Sequence, residues 1–289
     1  MMTIFLYVFC LVVWGLNAVV IRLQGSELVP AEWALAYRLV AACLVFVGLC
    51  VFVKPKFNWK KSDRWSVLLF GFLNFFSSYL LFYFAADFIN AALITLIFSM
   101  KVIITPLFLA VFLRQKVQKN TLIGGMFGVA GVAVLAYPLF SAGNTHKLWL
   151  GCAFALGATM LTALGDVCSA RNAQKGIHPL AANAVGMSFA AVLILGYATF
   201  TQGAPSISSE PNWLLALAYL TFFSTVLAWL AYLQLITRLG AAKSAYMVAL
   251  FPMVAGAASV WIGDSPLNFY LLLGCTLSAC GAFIALKSA

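Results

Sequence analysis

Apolar residues occur along this chain in long runs, and polar residues are concentrated in the short breaks between them. Each run is about twenty residues long, which is what an α-helix needs to cross the roughly 30 Å hydrocarbon core of a bilayer. We therefore expect an all-α integral membrane protein. The pattern predicts ten spans, at residues 3–22, 33–53, 65–86, 91–113, 120–139, 147–170, 179–201, 213–236, 243–262 and 267–286.

The composition supports a protein that is solvated by lipid. Of the 289 residues, 64% are hydrophobic and 8% are charged, whereas soluble domains are roughly half apolar and a quarter charged. The basic residues form no single patch, so we expect no nucleic-acid partner. The seven cysteines lack metal-ligand spacing. Because enzyme motifs such as H-E-x-x-H, G-x-S-x-G and the Walker A loop are also missing, we expect a non-enzyme without metal or cofactor.

The basic residues between the spans predict how the chain is oriented. Thirteen lysines and arginines fall in one set of alternate loops, whereas the opposite set holds Arg22 and Lys147. Cytoplasmic loops carry the excess of basic residues, and the first apolar run lacks the features of a cleaved signal peptide. We therefore expect a multi-pass protein of the bacterial plasma (inner) membrane, surrounded by the lipid bilayer, with both termini in the cytoplasm.

The two halves of the chain resemble each other at an offset of 149 or 150 positions. The matches include the pairs Arg22 and Arg171, Tyr83 and Tyr232, Gly124 and Gly274, and Gly131 and Gly281. Because each half has an odd number of spans, the second half enters the bilayer from the opposite side. We predict two inverted five-helix repeats, at residues 1–140 and 146–289. Such repeats typically build a transporter whose central site opens alternately to each side.

A lysine, Lys101, lies near the middle of span 4. Placing it there costs about 2.5–3.5 kcal/mol on insertion scales, which the apolar residues around it outweigh. Charged residues inside membranes face the bundle interior or a watery cavity. We expect Lys101 either to bind an anionic group of a substrate or relay a proton, or to tie its helix to a backbone carbonyl.

Three further polar residues lie within spans, namely Asn17, Asp166 and Asn183. Asn17 and Asp166 are 149 positions apart and therefore correspond in the two halves. Each of the three could line the substrate pathway, and Asp166 could also bind an ammonium group or a proton. The alternative is a hydrogen bond between helices. Arg38, by contrast, lies close enough to the predicted membrane interface to snorkel, which favours a structural role.

Aromatic side chains recur at helical spacing in both halves. Tyrosine and tryptophan combine an apolar ring with a polar tip that prefers water or a partner. In the middle of a span they indicate either ordinary packing or the wall of a cavity for a flat or cationic organic molecule. The candidate cavity residues are Trp14, Tyr79, Tyr83, Trp229, Tyr232 and Tyr246.

Prolines and glycines predict local features of the helices. Pro106 and Pro252 remove backbone hydrogen bonds within spans 4 and 9, which predicts either movable breaks or static kinks. Small residues recur at intervals of three or four in spans 5 and 10, which allows helices to approach closely. This spacing suggests packing within the bundle or a homodimer through these glycine-rich helices. The residues are Gly124, Gly128, Gly131, Gly274, Ser278 and Gly281.

Several short motifs, taken in order, resemble the EamA-type family of the drug/metabolite transporter superfamily. The run Trp14-Gly15-Leu16-Asn17 is similar to the family's W-G-x-N signature, and Arg38 to its helix-2 arginine. The resemblance extends over the whole chain and also includes Asn90-Ala91-Ala92, Leu239-Gly240-Ala241-Ala242 and Phe251-Pro252. It implies ten helices in two inverted halves and an exporter or exchanger of small metabolites.

Two departures from the family pattern bear on the substrate. Met100-Lys101 stands where the family often has a serine–proline pair, and Leu113-Arg114-Gln115 where it often has L-G-E. A cation in the cavity favours a substrate that carries an anionic group. We therefore predict a secondary transporter of a small polar metabolite, most simply an amino acid or related zwitterion. The alternatives are a transporter of nucleotide-derived or amine metabolites, such as S-adenosylmethionine-like molecules, and a membrane scaffold without transport activity.

Overall fold

Helices account for all the regular structure that the computed structural model describes, which covers residues 1–57, 59–141, 145–239 and 246–286. Ten helices, α1 to α10, follow the ten predicted spans. Eight of them are long and apolar enough to cross a membrane, and α9 and α10 contain two shorter apolar helices. The predicted all-α membrane protein is thereby confirmed.

Five of the ten helices are continuous and five are interrupted. The continuous ones are α2 (Ala31–Val53), α5 (Lys119–Ser141), α6 (Thr145–Gln174), α7 (Pro179–Gln202) and α10 (Phe269–Leu286). The interrupted ones are α1 (Met2–Gly15, Asn17–Gln24), α3 (Lys61–Gly71, Phe72–Ser77, Ser78–Ala86), α4 (Ala91–Ser99, Lys101–Leu113), α8 (Pro211–Ala218, Tyr219–Leu227, Ala228–Leu239) and α9 (Tyr246–Leu250, Phe251–Trp261).

Two kinds of interruption occur at corresponding places in the two halves. The middle segments of α3 and α8, Phe72–Ser77 and Tyr219–Leu227, are π-helical, and such turns disturb the regular i→i−4 bonding. The helical pieces of α4 meet at Met100 and those of α9 at Leu250, which are 150 positions apart. Pro252 is the second residue of the second piece of α9, whereas Pro106 lies inside the second piece of α4. Lys101 is therefore the first residue of a helical segment.

The two halves pack against each other in exchanged pairs. Helix α1 contacts α8 through Trp14, whose indole Nε1 donates to the Ser224 carbonyl oxygen at 2.8 Å. The corresponding pair, α3 and α6, meets through the rings of Phe84 and Phe154, with centroids 5.7 Å apart. This exchange is what two inverted five-helix repeats require, and that prediction is confirmed. The exact boundaries 1–140 and 146–289 stay predictions.

Glycines bring α5 and α10 into close contact within the chain. A Cβ atom on Gly131 would lie 2.8 Å from the Gly274 carbonyl oxygen, and one on Gly281 would overlap the carbonyl of Gly124. These glycines therefore serve contacts inside the bundle, as one of the two interpretations of their spacing predicted. A homodimer through α5 and α10 stays a prediction, and it would have to use other residues of these helices.

The α5–α10 contact predicts opposite effects of two glycine-to-alanine substitutions. Gly131→Ala should lower the free energy of unfolding by about 1–3 kcal/mol, because its methyl group would meet backbone that cannot rotate away. Gly196→Ala is the matched control, since no atom lies within 4 Å of its Cβ position in the middle of α7. It should stabilise the helix by roughly 0.5–1 kcal/mol. Thermal unfolding of the purified protein in detergent measures both, and equal midpoints would contradict the predicted contact.

Candidate functional site

A cavity with about 920 Å³ of empty space lies between the two halves. All five interrupted helices contribute to its wall, together with α6. Six helices from both halves therefore surround one central space, as the inverted repeat leads one to expect. Seven predicted site residues line it: Trp14, Asn17, Tyr79, Lys101, Asp166, Trp229 and Tyr232.

Lys101 and Asp166 form an ion pair on the cavity wall. The Lys101 ammonium Nζ lies 2.9 Å from Oδ2 of Asp166, and the side chains are 17% and 29% exposed. Thr105, one turn further along α4, donates a hydrogen bond to the same carboxylate oxygen at 3.2 Å. The Lys101 ammonium also lies 5.5 Å from the ring centroid of Phe98. The pair thus joins α4 of the first half to α6 of the second and is accessible from the cavity.

An aromatic cluster covers another part of the wall. Trp14 packs edge-on against both Trp229 and Tyr232, with ring centroids 5.6 and 5.2 Å apart. Tyr79 and Trp229, which are 150 positions apart, meet through the phenol oxygen and the indole Nε1 at 3.5 Å. These rings supply a rigid apolar surface with a few polar tips, which suits the apolar part of an organic molecule.

The structure differs from the sequence-based expectation for Arg38. Its side chain does not extend to an interface but is 1% exposed, behind the cavity wall. The guanidinium donates from Nε to Thr225 Oγ1 at 2.9 Å and from Nη2 to Asn17 Oδ1 at 3.3 Å. The Tyr79 ring lies 4.6 Å from its central carbon. Hydrogen-bond acceptors on α1 and α8 hold this arginine inside the bundle. The position of Arg38 along span 2 does not by itself indicate these contacts.

Three predicted site residues fall outside the observed cavity wall. Tyr83 is buried beyond it, because this position lies one helical turn past Tyr79, and its hydroxyl donates to Gln24 at 3.0 Å. Asn183 is buried on α7, a helix away from the cavity, and donates to the Pro179 carbonyl at 3.1 Å. The Tyr246 side chain lies outside the part of the chain whose side chains the structure describes.

The cavity wall also contains polar residues that the sequence analysis did not select, namely Asn74, Thr95, Thr162 and Ser224. Asn74 and Ser224 are 150 positions apart, and each lies in the π-helical segment of its own half. The repeat offset, applied to every polar residue within a span, would have found both of them. The two threonines donate to carbonyls one turn earlier in their own helices, and nothing in the sequence pattern distinguishes them from other helical threonines.

Comparison with known proteins identifies the family. The model of the "EamA-like transporter family" matches residues 1–137 and 149–287. This chain belongs to that family. The EamA assignment confirms the predicted membership in the drug/metabolite transporter superfamily and agrees with the ten helices described above.

EamA-family relatives match nearly the whole chain. The "Probable amino-acid metabolite efflux pump" of Escherichia coli (strain K12) is 26% identical over 284 residues, which covers 94% of this chain and 91% of that protein. The "Uncharacterized transporter YvbV" of Bacillus subtilis (strain 168) is 24% identical over 277 residues, covering 95% and 88%. A solved structure described as "Crystal structure of protein" has a TM-score of 0.71 at 17% identity, covers 99% of this chain and 97% of that one, and has the same fold.

A charged cluster around Arg22 lies at one end of this EamA bundle. Its Nη2 lies 2.7 Å from Oδ1 of Asp264, and its Nη1 donates to the Ala86 carbonyl oxygen. The other carboxylate oxygen of Asp264 accepts from the Ala91 amide at 2.8 Å. Close by, partial burial raises the pKa of the Asp87 carboxyl, and its bond with Ser26 and the charge of Arg22 oppose that shift. The Arg22 cluster thus joins α1, α3, α4 and α9.

The opposite end of the bundle is packed less tightly. Its corresponding arginine, Arg171, lies 3.8 Å from Oδ1 of Asp63. In α4, the piece Ala91–Ser99 on the Arg22 side is buried except at Phe98, whereas no residue of Lys101–Leu113 is buried. The Arg22 end therefore has the shorter ion pair and the more deeply buried piece of α4.

The difference between the two ends predicts unequal effects of removing their acids. Asp264→Ala should lower the free energy of unfolding by about 2 kcal/mol or more, because it removes charged hydrogen bonds from both Arg22 and the Ala91 amide. Asp63→Ala, at the other end, should lower it by less than about 1 kcal/mol, because its 3.8 Å pair is partly exposed. Thermal unfolding in one detergent compares them. Equal losses would show that the Arg22 cluster is no stronger than its counterpart.

Proposed function

We propose that this EamA-family protein is a secondary transporter that moves an amino acid or a related zwitterion through its central cavity. The observation that carries the proposal is the ion pair between Lys101 and Asp166 on the cavity wall. A substrate with one carboxylate and one ammonium group can replace this ion pair with two new ion pairs. Its carboxylate would meet Lys101 and its ammonium group would meet Asp166.

Charge balance favours a zwitterion over other small substrates. A simple cation or anion could neutralise one member of the pair and would leave the other without a partner in a low-dielectric site. An uncharged solute would leave the Lys101–Asp166 pair intact and would gain little from it. Of these substrate classes, only a zwitterion exchanges one ion pair for two and leaves neither Lys101 nor Asp166 without a partner.

The aromatic cluster supports an organic body next to these charged groups. Trp14, Trp229 and Tyr232 offer ring faces and edges on the same wall, and such surfaces bind apolar or flat groups. The "Probable amino-acid metabolite efflux pump" of Escherichia coli is a relative of this chain at 26% identity, which agrees with a substrate of this class. The body of the substrate would pack on the rings while its charged groups occupy the ion pair.

Alternating access follows from the inverted halves. In the proposed cycle the Arg22 cluster closes its end of the cavity in one state, and the second state would close the Arg171 end and release the Arg22 cluster. The distribution of basic residues supports an orientation in the inner membrane of a bacterial cell that has the Arg171 end and both termini in the cytoplasm. Movement against a gradient would then draw on another solute or ion gradient.

The proposed function is tested by uptake into proteoliposomes. Liposomes with purified protein and liposomes without it receive each standard L-amino acid in radiolabelled form. We expect saturable uptake of at least one of them, and the same compound should raise the unfolding midpoint, because a ligand at 100 times its Kd stabilises by roughly 2.7 kcal/mol. If no amino acid is transported while S-adenosylmethionine or an amine is, the substrate class is wrong. If nothing is transported, the scaffold alternative is favoured.

Substitutions that remove the charges of Lys101 and Asp166 should distinguish the contribution of the ion pair to stability from its contribution to transport. Lys101→Met and Asp166→Asn should each lower stability by about 1 kcal/mol, because the remaining partner stays partly buried. The double substitution should recover most of that loss. All three variants should transport at least tenfold more slowly, since in each of them at least one charge of the substrate lacks its partner.

The control for this experiment is Lys116→Met, which removes an exposed lysine from the connection that follows α4. It should leave both unfolding and uptake unchanged. If the double substitution restored uptake together with stability, the ion pair would be only a structural tie between α4 and α6, and its proposed role in binding would be wrong.

A further inference from the structure

Arg38 is a buried cation without a carboxylate partner among the described residues. Its acceptors are neutral: Thr225 Oγ1 at 2.9 Å, Asn17 Oδ1 at 3.3 Å and Ser224 Oγ at 3.5 Å. A buried charge is normally paired, because transfer into a low-dielectric interior disfavours it strongly. The cavity wall therefore contains the balanced pair of Lys101 and Asp166, and behind it the uncompensated charge of Arg38.

Asn17 connects this buried charge to the cavity. Its Oδ1 accepts from two donors, the Arg38 Nη2 and the Ser224 hydroxyl, the latter at 2.7 Å. Two donors on one side fix which end of the amide is the oxygen. With Oδ1 held by these donors, Nδ2 is the amide atom that remains to donate to another acceptor. Asn17 lines the cavity, and the two hydrogen bonds that its side chain makes with described residues both involve Oδ1.

We infer that Arg38 is a positioning residue, which holds Asn17 so that the amide Nδ2 is offered to an acceptor oxygen of the substrate. The inference rests on the proposed function in so far as it places a carboxylate-bearing molecule in the cavity. It adds a second recognition point beside Lys101, on a different helix. The uncompensated charge of Arg38 acts in the same direction, because it polarises the amide and makes the cavity favourable for an anion.

The repeat supports a specific role for this arrangement. Asn17 and Asp166 are 149 positions apart, and each has one basic partner, at 3.3 and 2.9 Å respectively. The basic partner comes from α2 in one case and from α4 in the other, so the two sites are not copies. At Asp166 the wall presents an acceptor that is already paired with a cation. At Asn17 it presents a donor, and the cation lies behind it.

The competing explanation is that Arg38 only ties α2 to α1 and α8. Both explanations predict that Arg38→Gln is less stable, so stability cannot separate them. They differ in the coupling between Arg38 and Asn17. If Arg38 acts on the ligand through Asn17, the loss caused by Arg38→Gln should disappear once Asn17 is already alanine.

Sodium benzoate is a suitable probe, because it combines one carboxylate with a flat ring and lacks an ammonium group. Benzyl alcohol is the neutral control of similar size. Binding to the full-length protein in detergent is measured by isothermal titration calorimetry for the unchanged protein, Arg38→Gln, Asn17→Ala and the double variant. Tyr37→Phe serves as the control variant, since it removes a hydrogen bond from the same helix to the Ser206 carbonyl, away from the cavity lining.

We expect the unchanged protein and Tyr37→Phe to bind benzoate at least tenfold more tightly than benzyl alcohol. Arg38→Gln and Asn17→Ala should each raise the Kd for benzoate at least tenfold, and the double variant should be no more than about threefold worse than either. Asn17→Asp, which replaces the donor by an acceptor and gives Arg38 a carboxylate partner, should lose benzoate binding while it keeps the unfolding midpoint. Arg38→Lys should restore part of the binding that Arg38→Gln loses.

The inference would be overturned if the increases in Kd caused by Arg38→Gln and Asn17→Ala multiplied in the double variant. Unchanged benzoate binding by Asn17→Asp would also overturn it, as would equal binding of benzoate and benzyl alcohol by the unchanged protein. Failure of this inference is distinguishable from failure of the proposed function. If amino acids are taken up but the two substitutions have multiplicative effects on the Kd for benzoate, the proposed transport function stands and the proposed role of Asn17 is wrong. Coupled effects without any amino-acid uptake would retain the carboxylate subsite and remove the proposed substrate class.

Discussion

Charge inside a low-dielectric bundle must be compensated, and this requirement explains the arrangement of the polar residues. Lys101 and Asp166 neutralise each other across the two halves, and Arg22 is held by Asp264 at one end of the bundle. Arg38 is the exception among these, since it is surrounded by neutral acceptors. The contacts of Lys101 with Asp166, of Arg22 with Asp264 and of Arg38 with Thr225 join helices that are distant in sequence. The helices that form the cavity are therefore held by the same groups that give it its chemistry.

The helix interruptions are the second element of the architecture. Non-helical backbone at membrane depth is tolerated where it is buried or faces a water-filled cavity, and all five interrupted helices line the central space. The break at Met100 makes Lys101 the first residue of a helical piece, and the break at Leu250 occurs 150 positions later. The π-helical turns of α3 and α8 carry Asn74 and Ser224 into the wall. Irregular backbone and polar side chains thus occur at the same level of the bundle.

The sequence predicted the ten spans and the inverted halves. A hydrophobic run can be recognised within its own segment, and a repeat offset is supported by several matching pairs of residues together. Seven of the ten candidate site residues predicted from the sequence line the cavity, since a polar or aromatic residue within a span has few other environments. The sequence did not predict that Arg38 is buried or that Tyr83 lies past the cavity. Both depend on which face of a helix turns inwards. In an apolar helix that is surrounded by lipid, the few polar positions do not define that face.

The imperfection of the repeat explains why the two ends of the bundle differ. Arg22 and Arg171 correspond at an offset of 149, so each end keeps its arginine. The acid that holds Arg22 is Asp264, whereas the corresponding positions of the first half are Arg114 and Gln115, which have no negative charge. Arg171 instead lies 3.8 Å from Asp63 of a different helix. A symmetric chain would have the same ion pair at both ends, and the single acid at Asp264 therefore gives the Arg22 end the shorter contact, 2.7 Å against 3.8 Å.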